Sequence, residues 1–446
     1  MSAEPRTLKT EAELALAEQY RGARAILPGS AAVARKRDEA FATFERLGLP
    51  HRRVEAWKYT DLRALMRVAV PVADPPNPVA VTAALTDADA LAGIDRYRLI
   101  VADGHFQESQ SDRQALLAEG VEVATLAEFL GFDHPSVLDI LATPPGAGED
   151  AIIALNAALA TDGVVLIVPP GTIVSKPIEI VHVSTTTGAT SSYSRSAVQV
   201  GAGASARLVV TRTGPLGIGY QANSVLGLSV GAGGRATVVD IAADGDRSQH
   251  LASFSARVAE GATLDHLALR AGAGLSRLQG YFSLEGEGAG LTASGANMLD
   301  AKAHGDVLLL IEHAAPATTS RLLYRNVAKD DAVGAFEGRI LVRPVAQKTD
   351  GRMMVNTLLL SDSAEFAAKP ELEIYADDVQ CGHGATTGQI DETAVFYLQS
   401  RGVPRKEAEA LLLKAFLAEP LAGVGDPALA AAVEPLVDAW LAGAPE

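Results

Sequence analysis

The chain has 446 residues, with 54 acidic against 38 basic side chains, a formal net charge of −16 and a hydrophobic share of 48%. The length accommodates roughly three domains at about 150 residues each, with enough chain for a substantial core, while the negative charge argues against broad contact with a phosphate backbone. Cys381 stands alone, which excludes an intrachain disulfide and limits what metal chemistry the chain's own thiols can support.

In chain order, residues 1–10 are polar and of mixed charge, without the apolar stretch of a secretory signal, so a cytoplasmic location is expected. The apolar runs at 163–170 and 307–311 fall far short of the ~20 residues that a membrane helix needs. The first sixty residues read as helix: Ala40, Phe41, Phe44 and Leu47 share a face, and Gly48 with Pro50 supplies the stop. Residues 73–79 form a Pro-rich linker. Residues 97–101 predict a strand ending at Asp103-Gly104, residues 121–123 a second strand with a helix after it, and residues 143–150 a second linker.

From about residue 160 the composition turns to Val, Leu, Ile, Thr, Gly and Ala, and a repeat emerges. A branched residue followed three positions later by glycine occurs at Val168/Gly171, Val200/Gly203, Val230/Gly233 and Val258/Gly261, with a looser copy at Leu284/Gly288. A period near thirty, with short β-type runs and glycine turns, is the pattern of a solenoid: one coil cannot bury its apolar interior, and stacked coils bury it together. The expectation is a β-helix over about 160–390, with an irregular β-sandwich as the alternative. After Gln389 helical patterning returns. Ala408, Leu411, Leu412, Ala415 and Phe416 share one face, and Asp426-Pro427 opens a second helix lined by Leu429, Ala432, Val433, Leu436, Val437 and Trp440. Pro435 inside that run predicts a kink or break. The predicted domains are 1–150, mostly helical with short strands; 151–390, the β-helix; and 391–446, helical.

Three glycine patterns, beginning at Gly201, Gly217 and Gly231, mimic a dinucleotide fingerprint, but β-type runs follow them where a fingerprint would open a helix, so they read as solenoid turns. No phosphate-loop motif occurs. Of nine histidines, one stands out in Cys381-Gly382-His383-Gly384. In an extended strand Cys381 and His383 lie on one face, thiolate with imidazole suits iron or zinc, and the glycines admit close approach by another chain. An ordinary packed thiol is the competing reading.

The run KPELEIYADDVQCGHGATTG at 369–388 resembles the signature of the SufB/SufD family of iron–sulfur cluster assembly proteins, as do FYLQSRG at 396–402, FEGRILV at 336–342, QKTD at 347–350 and NTLLLS at 356–361. EAWKYTD at 55–61 resembles a segment of the SufD side of that family, which the single cysteine also favours over the SufB side. The stretch GRMMV at 351–355 departs from the more polar run expected there. The resemblance implies a mainly β fold: a right-handed parallel β-helix flanked by an N-terminal domain of helices with short strands and a C-terminal α-helical domain. It implies a non-catalytic scaffold that pairs with SufB through the β-helix and recruits the SufC ATPase through its C-terminal helices. It places iron or a nascent cluster transiently at the interface with SufB, in contact with His383 and secondarily Cys381. No cofactor is expected to stay bound to the isolated chain, no motif speaks to a flavin, and a homodimer is the other assembly open to such a scaffold. Trp57 and Tyr59 read as packing anchors, and Asp377 and Asp378 as turn residues. A SufB-like paralogue and a β-helix carbohydrate-active enzyme are the alternatives; the latter needs paired carboxylates along an exposed sheet.

Overall fold

A computed structural model of the chain describes residues 9–87, 91, 93–132 and 135–443; His134 and residues 1–8 lie outside the described residues. The predicted N-terminal helix resolves into two, Glu11–Ala23 and Ala31–Leu47. The first opens with a capping box in which Thr10 and Glu13 satisfy each other's backbone N–H. The second ends at Gly48, whose φ of 70° suits glycine. Phe41 and Phe44 are buried, but Leu47 turns out to be exposed, one step off that face. The linker at 73–79 is shorter than expected, because Pro78 opens the helix Pro78–Asp87 and Val72 bridges to Ser191.

The body is a parallel β-solenoid. From Val164–Val168 onward successive strands alternate between two sheets, and each pairs in parallel with the strand two further on, up to the last two. One sheet has ten strands, running from Gln380–Gly388 at one end to His105–Phe106 at the other; the second has nine, from Glu365–Ile374 to Glu122–Thr125. The strand Tyr97–Ala102 pairs in parallel with Ile178–Val183, so the sheet reaches back into the N-terminal third of the chain. Between the sheets lies a continuous apolar core, with Val168, Val200, Val230, Val258, Leu284, Ile340 and Val342 among its buried members. Burial of this kind is the main favourable term in such a fold.

The repeat glycines occupy one corner of the coil. Gly171, Gly203, Gly233, Gly261 and Gly288 all have φ between 61° and 74°, and a Cβ at any of them would meet nothing within 4 Å. Left-handed backbone, not lack of room, is therefore what selects glycine. Each N–H in this series bonds a carbonyl in the next coil: Gly171 to Ala202, Gly203 to Ala232, Gly233 to Glu260, Gly261 to Glu287 and Gly288 to Pro316. The series continues with Ala317 to Gln347 and Lys348 to Asp378, where Ala317 and Lys348 hold φ of 54° and 65° without being glycine.

At the C-terminus the helices are Glu392–Ser400, Arg405–Ala418 and Pro427–Leu441. Asp426 caps the last by accepting from the N–H groups of Ala428 and Leu429, as expected. Leu429, Val433, Val437 and Trp440 pack with Val209, Ile241, Leu267 and Leu269 on the outer face of the ten-stranded sheet. Of the kink or break predicted at Pro435, the break is absent: the helix runs through it, and its packing against the sheet offsets the missing N–H. The predicted apolar stripe also needs correction. In Arg405–Ala418 the buried side chains are Ala408, Leu413 and Leu417, while Leu411 is 53% exposed and Ala415 is exposed too. No described helix is long and apolar enough to cross a membrane.

Candidate functional site

The two sheets end on full-length strands, Glu365–Ile374 and Gln380–Gly388, and no described strand pairs with their outer edges. Cys381 and His383 both lie on Gln380–Gly388, opposite Gly351 and Met353. Met353 is a core residue, and Cys381 packs against the same core. Both candidate residues therefore sit on the inward face of the last coil, as alternation in an extended strand requires. They differ in surroundings. Cys381 is half-buried, and burial pushes its thiol up from the ordinary value. His383 is exposed, and its ring makes no hydrogen bond or ion pair with the described residues. A groove of about 680 Å³ passes the pair, lined also by Arg321, Arg352, Met354 and Gly423. Asp350 holds both arginines, with Arg352 Nε at 3.2 Å and Arg321 on its other oxygen.

The strand is positioned by the turn before it. The N–H of Asp378 donates to Gln347 Oε1 at 2.9 Å, its carbonyl accepts from the N–H of Lys348 at 2.7 Å, and its carboxylate pairs with Lys348 Nζ. The turn role read for Asp378 thus has a concrete form: it closes the ladder of corner hydrogen bonds. Trp57 is an anchor, 1% exposed and stacked 4.0 Å from the Arg277 guanidinium. Among the described residues no group of three or more His, Cys, Asp or Glu is placed to hold a metal ion. Among the described residues Cys381 and His383 are thus a pair of candidate ligand side chains, fewer than the about four that an iron–sulfur cluster takes.

One set of polar residues was not foreseen: charges inside the solenoid. Asp240 takes Arg212 Nη1 on one oxygen, with Arg270 Nη2 at 3.3 Å, all three being 4% exposed or less. Burial works to raise the Asp240 carboxyl, but the two guanidinium charges outweigh it and hold it below the usual range. Asp244 accepts from the Tyr220 hydroxyl at 3.0 Å and bonds His250 Nδ1 at 2.9 Å. His266 lies between Phe254 and Phe282, with ring centroids at 4.7 and 5.5 Å. A signal existed, since Asp240 and Arg270 stand at inward positions of runs otherwise made of Val, Ile, Leu and Ala.

Comparison with known proteins identifies the family. Residues 10–180 match the SufBD protein N-terminal region, and residues 182–416 match the SufBD core domain of SUF-system FeS cluster assembly. The iron–sulfur cluster assembly protein SufD of Escherichia coli is 30% identical over 379 residues, covering 84% of this chain and 85% of that protein. A SufBD family protein of Synechocystis is 26% identical over 86% of each chain, and SufD of Bacillus subtilis is 38% identical over 24% of this chain and 25% of its own. The chain belongs to the SufBD family of iron–sulfur cluster assembly proteins, as a homologue of SufD in the SUF system.

Proposed function

We propose that this chain is a non-catalytic scaffold subunit that pairs with SufB through the open end of its solenoid, recruits the SufC ATPase through its C-terminal helices, and presents His383, with Cys381 beside it, to iron or a nascent cluster at the shared interface. The observation that carries this reading is the contrast in burial along the solenoid. Strands in its middle are almost wholly buried, as in Leu275–Leu284, whereas every residue of Glu365–Ile374 and Gln380–Gly388 is at least partly exposed. An unpaired edge of nine or ten residues is a template for strand addition. Iron or the cluster is cargo here. His383 supplies an imidazole nitrogen, and the partner supplies the missing thiolates. For SufC, the surface that fits is the exposed set Phe396, Tyr397 and Leu411, at 71%, 57% and 53% exposure.

The test is His383→Ala in the full complex, in cells that depend on this pathway. Cluster assembly is expected to stop, while melting temperature and subunit composition stay as in wild type. Normal assembly refutes the site; a dissociated or destabilised complex makes His383 structural. Purification from native cells is expected to bring SufB and SufC with the chain, and Phe396→Asp with Leu411→Asp to release SufC alone. Anaerobic reconstitution of the isolated chain is expected to yield no stoichiometric cluster.

A further inference from the structure

The segment 55–61 is seated on the outer face of the nine-stranded sheet. Its Trp57 indole N–H donates to Asp150 Oδ2 at 3.2 Å, Arg277 donates to the Ala56 carbonyl and to Asp306, and the Thr60 hydroxyl bonds Asp306 and His304 Nε2. At the start of the segment Glu55 reaches across to Lys369 on Glu365–Ile374, the last strand of that sheet. Lys369 is shared: its Nζ also lies 3.2 Å from Glu371 Oε1 and 3.7 Å from Glu337 Oε2. Glu337 is 4% exposed, and its Oε1 has no hydrogen-bond partner; the same holds for Asp306 Oδ1. Glu337 pairs with Leu308, two residues along from Asp306, so the two carboxyls are diagonal neighbours on adjacent strands.

One ammonium therefore faces two solvent-reaching carboxylates, Glu55 on the segment and Glu371 on its own strand, and a buried carboxyl, Glu337, that competes for it only when charged. We propose that Lys369 is a proton-controlled tether, fastening the segment 55–61 to the last strand while Glu337 is neutral and turning inward when Glu337 ionises. The charged groups around Glu337 are Asp306 and His304 on one neighbouring strand, Arg277 beyond it, Lys369 and Glu371 on the other, Arg339 on its own strand, and Glu55 and Lys58 from the segment. Burial first, then the charge of Asp306, pushes Glu337 up to about 7 against the pull of Arg277 and Lys369. His304, the imidazole of this set, is held below its ordinary value by burial. Because the folded value of Glu337 is raised, the contribution of its neutral form is present at low pH and lost as pH rises through about 7. The tether is therefore fastened near pH 6 and loosened near pH 8.

Amide hydrogen exchange in the full chain, corrected for the intrinsic pH dependence, reads the seating of residues 55–61. In wild type these amides are expected to exchange about threefold faster at pH 8 than at pH 6, the scale of one partly screened ion pair. Glu337→Gln is expected to be slow at both pH values and Lys369→Met fast at both, with the core strand Leu275–Leu284 unchanged in each as the control for folding. Trp57 fluorescence in a Trp440→Phe background is expected to follow the same pattern. A flat wild-type profile, or a pH dependence that survives in Glu337→Gln, overturns the proposal.

Discussion

The two ends of the solenoid are finished differently. At the N-terminal end the ten-stranded sheet stops on the two-residue strand His105–Phe106, antiparallel to its neighbour, and the nine-stranded sheet stops on the four-residue Glu122–Thr125, also antiparallel. Short antiparallel strands blunt an edge, because they offer few free N–H and C=O groups in the register of the stack. At the C-terminal end the stack stops on strands of ten and nine residues with nothing described over them. A single repeating architecture thus ends on short antiparallel strands at one end and, at the end where Cys381 and His383 lie, on full-length strands that no described strand pairs with. The same asymmetry runs through the interior, which buries ion pairs around Asp240 but becomes half-exposed at the last coil.

This comparison breaks most visibly if the interior charges are not holding the closed half together. Asp240→Ala leaves the Arg212 and Arg270 guanidinium groups buried without their carboxylate, and is expected to cost about 3–5 kcal/mol of unfolding free energy, measured by urea denaturation. A change below ~1 kcal/mol would mean that water reaches this cluster and the closed half is less closed than its burial implies.

Acid is a second probe of the same region. Burial lowers the His266 imidazole from 6.5 to about 4. For a base whose folded value is depressed, stability is full above the unfolded value and falls as pH drops towards the folded one. His266 alone therefore removes on the order of 3 kcal/mol between pH 6.5 and 4, at about 1.4 kcal/mol per unit. His266→Leu, close in volume and seated between Phe254 and Phe282, is expected to unfold less readily at pH 5 than wild type while differing little at pH 8. Equal acid sensitivity in the two proteins would move the effect to other buried imidazoles, such as His313.

The solenoid was legible as far as its corners were marked by glycine. From Gly171 to Gly288 the left-handed turn position announces itself, and the sequence period is the structural period. Beyond Gly288 the same position is filled by Ala317 and Lys348, which accept positive φ inside an established stack, so the expectation of a β-helix to about residue 390 rested there on composition and on continuing a period that glycine no longer marked. The C-terminal stripe misled for a related reason. Spacing alone cannot distinguish the face of Arg405–Ala418 that packs inward from the face bearing Leu411, because apolar residues stand on both. The candidate pair was legible as a pair because side chains two apart on one strand share a face by geometry. The ion pairs of the interior were not, since Arg212, Asp240 and Arg270 come from three different coils and meet only when those coils stack.

At the open end the expected stability effects are small and the functional ones large. Thr386, exposed on Gln380–Gly388 with its hydroxyl accepting from Asn356 Nδ2 at 2.5 Å, can be changed to Asp at a cost of about 0.5 kcal/mol or less to the isolated chain. The same change is expected to weaken co-purification of SufB, because it places a charge on the edge strand that a partner must pair with. Full retention of SufB would move the interface away from this strand.

The smallest effect is expected at Cys381. Its thiol is half-buried against the core and pushed up by burial, with the Asp350 charge acting in the same direction and the Gly351 N–H opposing both. A raised thiol is mostly protonated at neutral pH, and the thiolate is the reactive form. Alkylation of the isolated chain by iodoacetamide is therefore expected to be slower than that of a free cysteine peptide at pH 7.5, and to accelerate as pH rises. Cys381→Ala removes a small packed group beside Gly351, its register partner, and is expected to shift stability by about 1 kcal/mol or less. In the full complex it is expected to reduce cluster assembly less than His383→Ala does, because the exposed imidazole on the same face is the readier ligand. If the thiol instead reacts faster than the peptide and Cys381→Ala stops assembly as completely as His383→Ala, the thiolate is an equal partner in the site, and the difference in exposure between the two side chains does not set their roles.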